Sequence, residues 1–146
     1  MKQIGSRFLA GALLIVPLGS AWATPLDLTP GKFLLTVTYE IQGQQPGKPN
    51  TSSRCIAASD LDNPEKIFND RAFAGFKADE SCTVKNLKNA DGRISYDADC
   101  SNRVAHVEGT LLNAEFSVVR DVKPKSSRGV SLKLTLTGKR TGDCSK

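Results

Sequence analysis

Cys82-Thr83-Val84-Lys85-Asn86-Leu87-Lys88-Asn89-Ala90-Asp91-Gly92-Arg93-Ile94-Ser95-Tyr96-Asp97-Ala98-Asp99-Cys100 is a stretch built to fold back on itself. Asn89-Ala90-Asp91-Gly92 has the composition of a type I turn with glycine in the left-handed position, the three-residue hairpin loop with a bulge. That loop sets Asn89 opposite Arg93, and the register it starts places Lys88 opposite Ile94, Asn86 opposite Tyr96, Val84 opposite Ala98 and Cys82 opposite Cys100. At a non-hydrogen-bonded pair of an antiparallel ladder the Cα atoms stand about 4.5 Å apart, within disulfide range. The same register gathers Val84, Ile94, Tyr96 and Ala98 beside the bridge and sets Lys85 against Asp97 on the other face. A slip of one residue would lose all three agreements together.

Upstream, Thr29-Pro30-Gly31 is a turn, after which Phe33, Leu35, Val37, Tyr39 and Ile41 alternate with Leu34, Thr36, Thr38 and Glu40, the period-two pattern of a strand with one buried face. Gly43 to Asn50 is a loop rich in glycine and proline, and Thr51 to Ile56 reads as a short returning strand. The pattern then changes. Asn63 can cap a helix and Pro64 suits its first position, so residues 63–70 are expected to form one short helix, with Leu61, Ile67 and Phe68 on its buried side. Phe73 and Phe76 extend an apolar covering segment of no clear period. Downstream of the hairpin, Arg103 to Leu112, Ala114 to Val122 and Val130 to Gly138 read as three further strands. Short connections between successive strands make an antiparallel meander. The fold class is mainly β: a curved meander or partly closed barrel of about seven strands with one short helix. The covering segment is expected to fill the concave side and leave no sizeable ligand cavity.

The first residues read as an address rather than as part of this fold. Lys2 and Arg7 precede an uncharged run from Phe8 to Val16, and Ala21-Trp22-Ala23 has the small-x-small pattern that signal peptidase reads. Residues 1–23 are therefore expected to be a signal peptide, with residues 24–146 a single domain. The apolar run falls short of the roughly 20 residues needed to span a bilayer. No cysteine follows the cleavage point to accept a lipid, and no twin-arginine pair is present. Removing the leader from the 146-residue chain leaves about 120 residues, close to the commonest single-domain size. An oxidising compartment turns an even set of cysteines into bridges. With Cys82 and Cys100 paired by the hairpin, Cys55 and Cys144 remain for each other.

Charge narrows the partners. The chain has 20 basic and 15 acidic residues, and losing Lys2 and Arg7 brings the net charge to about +3, too mild to argue for nucleic acid. Lys123, Lys125 and Arg128 cluster around Pro124, Ser126 and Ser127, either a docking patch for anionic lipid or polysaccharide or, more simply, a solvated loop.

Pro30-Gly31-Lys32-Phe33 with Thr36-Val37-Thr38, Cys55 leading into Asp60, Cys82-Thr83-Val84-Lys85 closing at Cys100, and the terminal Gly138-Lys139-Arg140-Thr141-Gly142-Asp143-Cys144 together resemble the bacterial domain of unknown function 3617 family. The resemblance spans nearly the whole mature chain and implies an exported protein with a periplasmic home. Phe33 stands where the family usually has tryptophan, and the methionine- and glycine-rich stretch of many relatives is missing. The resemblance implies no activity.

Candidate sites are few. His106 and Glu108 share one face of a strand and could form an acid/base pair, though such a neighbour is usually structural. Asp60, Asp62 and Glu65 could hold calcium, but helix capping explains them more economically. Asp97 and Asp99 share a face, each opposite Lys85 or Thr83. Bridged cysteines leave no thiol nucleophile, and their spacing lacks the short C-x-x-C units of zinc sites. No catalytic residue, metal ligand or cofactor is assigned, and a ligand site is not identified. The sequence reading ranks a non-catalytic interaction or envelope-maintenance protein first, a carrier of a small apolar ligand second and an enzyme of unrecognised type third. Its partner is an unidentified protein or envelope component, with no nucleic acid, and the chain is expected to be monomeric.

Overall fold

The alternating segments become seven strands: β1 (Gly31–Ile41), β2 (Asn50–Ile56), β3 (Cys82–Ala90), β4 (Arg93–Cys100), β5 (Arg103–Leu112), β6 (Glu115–Pro124) and β7 (Leu132–Gly142). A computed structural model of the chain describes residues 25–69 and 82–145. The expected signal peptide, residues 1–23, and Phe73 and Phe76, expected to cover the sheet, lie outside the described residues. All strands join one antiparallel sheet in the order β2-β1-β7-β6-β5-β4-β3. The sheet is not closed, so β2 and β3 are its edges. β3 to β7 form the meander, and β1 returns to pair with β7 from Lys32–Gly142 to Ile41–Leu132. Cys82 and Cys100 are bridged across the hairpin, and Cys55 and Cys144 are bridged between β2 and the tail beyond β7.

Strand parity decides what is buried. Phe33, Leu35 and Val37 of β1 are at most 1% exposed while Leu34 between them is 43% exposed. Ile94, Tyr96 and Ala98 of β4, Ala105, Val107 and Leu111 of β5, Phe116 and Val118 of β6, and Leu134 and Leu136 of β7 are buried on the same face. A single sheet can hide one face so thoroughly only by curling around it and by being covered. Gly138 makes room for the Phe116 ring on that face. A Cβ there would lie 2.2 Å from the Phe116 ring, so only glycine lets the ring lie flat against β7.

The cover comes from outside the strands. A single 3₁₀ turn at Ala58–Asp60 leads into α1 (Pro64–Phe68), shorter than the helix read from the sequence. Asn63 caps it by accepting the Glu65 amide at 3.0 Å, and Pro64 occupies its first turn. Five residues cannot hold a helix in water, because nucleation is unfavourable. Packing holds this one: Ile67 and Phe68 are buried, and Phe68 meets Phe116 edge-on with ring centroids 5.2 Å apart. Leu61 is buried with them, and so are Leu26 and Leu28, where the Leu26 amide donates to the Leu61 carbonyl at 3.2 Å.

The hairpin departs from the expected register at its turn. Ala90, not Asn89, faces Arg93, so Asp91 and Gly92 alone form the loop, both at positive φ (53° and 68°). This is the two-residue mirror-image turn that matches strand twist, and Asp-Gly suits it. Near the turn Lys88 faces Ser95, yet Lys85 faces Asp97 and Cys82 faces Cys100 as the sequence reading placed them. A bulge between Lys85 and Lys88, with Asn86 at φ 55°, absorbs the one-residue difference. Its effect is to turn Leu87 inward, where it packs against the core, and Lys88 outward.

Candidate functional site

On the buried face, β4, β6 and α1 converge on one ionic cluster. Arg120 occupies an inward position of β6, between Val118 and Val122, and its guanidinium is 3% exposed. Glu65 of α1 answers it, with Oε1 accepting from Arg120 Nη1 at 2.5 Å and Oε2 from Nη2 at 3.3 Å. The Tyr96 hydroxyl of β4 donates to Glu65 Oε1 at 2.7 Å. Burial, reinforced by the Glu65 carboxylate, raises the Tyr96 hydroxyl far above its ordinary range, so it remains a donor. Arg54 of β2 adds a bond to the Lys66 carbonyl at 2.5 Å. The cluster is buried, and it ties α1 to β4 and β6.

Beyond α1 the same face opens. Where the sequence reading expected a filled concave side, a groove of about 820 Å³ lies at the end of the sheet away from the helix. Its floor is Ile41, Val122 and Leu132, which are cross-strand neighbours on β1, β6 and β7. Its walls include Tyr39, Pro124 and Val130, the last 62% exposed, with Lys48, Asn50, Asn102 and Arg103 supplying polar groups. The Gly47 loop packs on the Tyr39 ring and steadies one wall. Leu61, Ile67 and Phe68 are buried, as expected of the covering segment, while Phe73 and Phe76, expected to continue it, lie outside the described residues. Groove volumes of 300–1,000 Å³ are those of small-molecule sites.

The outer face has a different character. Lys85, Asp97, His106, Asp121, Lys133 and Glu40 are successive cross-strand neighbours over six strands, a row in which basic and acidic residue types alternate. Asp97 accepts from Asn86 Nδ2 at 2.7 Å and lies 2.8 Å from His106 Nδ1, and these bonds, the Asn86 one first, lower its carboxyl below the usual range. A second outer groove, of about 960 Å³, runs over this row. The pair that the sequence suggested is not the pair that forms: His106 turns across the ladder to Asp97, whereas Glu108 lies opposite Ser95 and Val119. Both members of the His106–Asp97 pair are about half exposed, open to water rather than in the desolvated setting that tunes a catalytic base. The basic cluster is also depleted, because Lys125 reaches Asp99 at 2.7 Å.

Asp60, Asp62 and Glu65 do not converge. Asp60 accepts the Ala57 amide at 3.0 Å, Asp62 is exposed and Glu65 points into the core toward Arg120. Among the described residues, no group of three metal-ligating side chains comes together. The signal for the buried cluster was present in the sequence as Arg120 at an inward position of β6.

Asp99 gives this face a measurable property. Hydrogen bonds from Lys125 and Lys85, at 2.7 and 2.6 Å, lower its carboxyl to about 2. Its folded value is depressed, so its contribution to stability is present above the unfolded carboxyl value and is lost as pH falls from about 4 toward 2. Substituting Lys125 by methionine should move the Asp99 titration upward, part of the way back to about 4, as followed by NMR. An unchanged midpoint would mean that Lys125 does not hold the carboxylate in solution.

The family described as "Protein of unknown function (DUF3617)" matches residues 28–144, from the buried Leu28 through all seven strands to the last cysteine. The chain belongs to this family. No curated protein and no solved structure matches it. The DUF3617 match thus takes in both disulfides, the ionic cluster and the whole floor of the groove. Among the described residues of this DUF3617 chain, no helix is long and apolar enough to cross a membrane.

Proposed function

We propose that this chain is exported to the periplasm through a cleavable leader of residues 1–23, without a lipid anchor, and acts there as a non-catalytic carrier of a small apolar ligand. The observation behind the carrier reading is the groove over Ile41, Val122 and Leu132. Val122 is buried, and a sheet that only needed a core would bury Ile41 and Leu132 with it, each contributing roughly 1.5–3 kcal/mol. Instead Leu132 is only half-buried, and Tyr39 and Val130 stand exposed around it. This moves the carrier ahead of the more general interaction role. Export is supported by the two disulfides, which persist in oxidising compartments. A non-catalytic role is supported by the solvent-open setting of His106 and Asp97.

The uncharged fluorescent probe N-phenyl-1-naphthylamine tests the groove. It should bind the disulfide-bonded protein saturably and one-to-one, with a dissociation constant on the order of micromolar. Val130→Asp and Leu132→Lys should each weaken binding, roughly tenfold for a charge placed in an apolar site, without lowering the melting temperature of the exposed Val130 variant. Absence of saturable binding would remove the carrier reading and return the interaction role to first place.

A further inference from the structure

The outer face carries a row that is complementary to itself. Lys85, Asp97, His106, Asp121, Lys133 and Glu40 face one another in turn across β3, β4, β5, β6, β7 and β1. Basic and acidic types alternate along it, and their number is even. Reversed end for end, such a row sets an acidic residue against every basic one. A two-fold axis parallel to the strands, lying between two copies over the line where β5 meets β6, performs that reversal. It brings Lys85 to Glu40, Asp97 to Lys133 and His106 to Asp121 of the second copy, each contact occurring twice, as in any isologous pair. An axis along the row would instead set each residue against its own copy, so that like charges repel. Charge therefore selects one arrangement.

The neighbouring rows admit it. On one side Lys88, Ser95, Glu108, Val119, Thr135 and Thr38 follow one another across the same strands, and the axis sets Glu108 on Val119, Ser95 on Thr135 and Lys88 on Thr38. On the other side Val104 and Lys123 are cross-strand neighbours, and the axis sets one on the other. None of these contacts opposes like charges. Bonds within the sheet engage only part of the central row: Asp97 is held by His106 and Lys85 by Asp99, whereas Glu40, Asp121 and Lys133 form no ion pair with the described residues. Five of the six side chains are exposed and Asp97 is half-buried, and the groove over the row gives the side chains of a second copy room to enter. We propose that this face pairs two copies of the chain about that axis, in place of the monomer that the sequence reading expects. The apolar groove over Ile41, Val122 and Leu132 opens on the opposite face and stays accessible. Exposed ion pairs each contribute little, so the dimer is weak, with a dissociation constant on the order of 100 µM at low ionic strength.

Sedimentation equilibrium of the disulfide-bonded protein at low ionic strength should show monomer and dimer in exchange, and added salt should shift the balance to monomer. Lys133→Glu and Asp97→Lys should each weaken self-association roughly tenfold or more, because each opposes two pairs of like charges. An equimolar mixture of these two variants should recover the dimer, since every contact in the mixed pair is again between opposite charges. Asp97→Lys also gives up the bond to His106, so Glu40→Lys mixed with Lys85→Glu repeats the exchange at the ends of the row. Melting temperatures show which variants keep the parent fold, and the mixtures are read for those. A monomer throughout, up to about 1 mM, tenfold above the expected constant, overturns the proposal. A dimer that the folded single variants leave intact lies on another surface and also overturns it. So does growth beyond the dimer, or a mixture of folded variants that stays monomeric.

Discussion

Replacing Glu65 by alanine should lower the unfolding free energy by about 3–5 kcal/mol, the usual cost of removing one partner from a buried ion pair. The Arg120 guanidinium would be left 3% exposed without its carboxylate, and the Tyr96 hydroxyl would lose its acceptor. Both losses fall on the same small helix, whose five residues have little stability of their own. Urea unfolding should show the midpoint falling with little change in slope. Two controls separate the ion pair from simple loss of bulk. The double variant Glu65→Leu, Arg120→Met should recover most of the loss, because it removes both charges and keeps the volume. Asp62→Ala, one turn away but exposed, should stay within about 0.5 kcal/mol. If the single and double variants lose the same amount, the cluster is not coupled and α1 is held by Ile67 and Phe68 alone.

The difference between Asp62 and Glu65 marks where sequence reading stops. Both looked like members of one acidic segment, and local chemistry explained them equally well as caps. Which one is buried depends on what stands opposite, and Arg120 lies 55 residues away along the chain. Its inward parity on β6 was visible, but its partner came from another element altogether. The strands were legible because alternation is local: Phe33, Leu35 and Val37 declare their face without reference to any neighbour. The docking of β1 against β7 was less so. Only the leftover pair Cys55 and Cys144 hinted that the beginning of the chain meets its end.

The hairpin shows both outcomes in one element. From Cys82 to Lys85 the register is the one that the sequence reading placed, because two cysteines and a charge pair constrain it. Near the turn the composition points to a three-residue loop, whereas the chain makes a two-residue turn and a bulge at Asn86 that no local signal but Leu87 announces. Its signal was Leu87, an apolar residue on what would otherwise have been the solvent face of β3. The groove end was hidden for a related reason. Ile41, Val122 and Leu132 have the pattern of core residues, and nothing local says whether the surrounding loops cover them.

Removing the Cys55–Cys144 bridge should destabilise the domain more than removing Cys82–Cys100. The first closes a loop with a sequence separation of 89 residues and the second one of 18, for which the chain-entropy model gives about 4–5 and about 3 kcal/mol. The native sheet argues in the same direction. Cys82 and Cys100 sit in a hairpin already held by its turn and ladder, whereas Cys55 lies on the edge strand β2, which among the described residues pairs only with β1. The longer bridge ties that edge to the tail beyond β7, so it fixes the flank of the sheet where the meander's end meets the first strand. Cys55 is exposed and Cys100 is buried, so a mild reductant should open the longer bridge first. In thermal melts the Cys55→Ala, Cys144→Ala variant should lose roughly 10–25 °C, and the Cys82→Ala, Cys100→Ala variant less. Reducing both bridges should come close to unfolding a domain of ordinary stability, about 5–15 kcal/mol. A larger drop from the hairpin pair would mean that the hairpin, rather than the junction of β1 with β7, is where the fold is weakest.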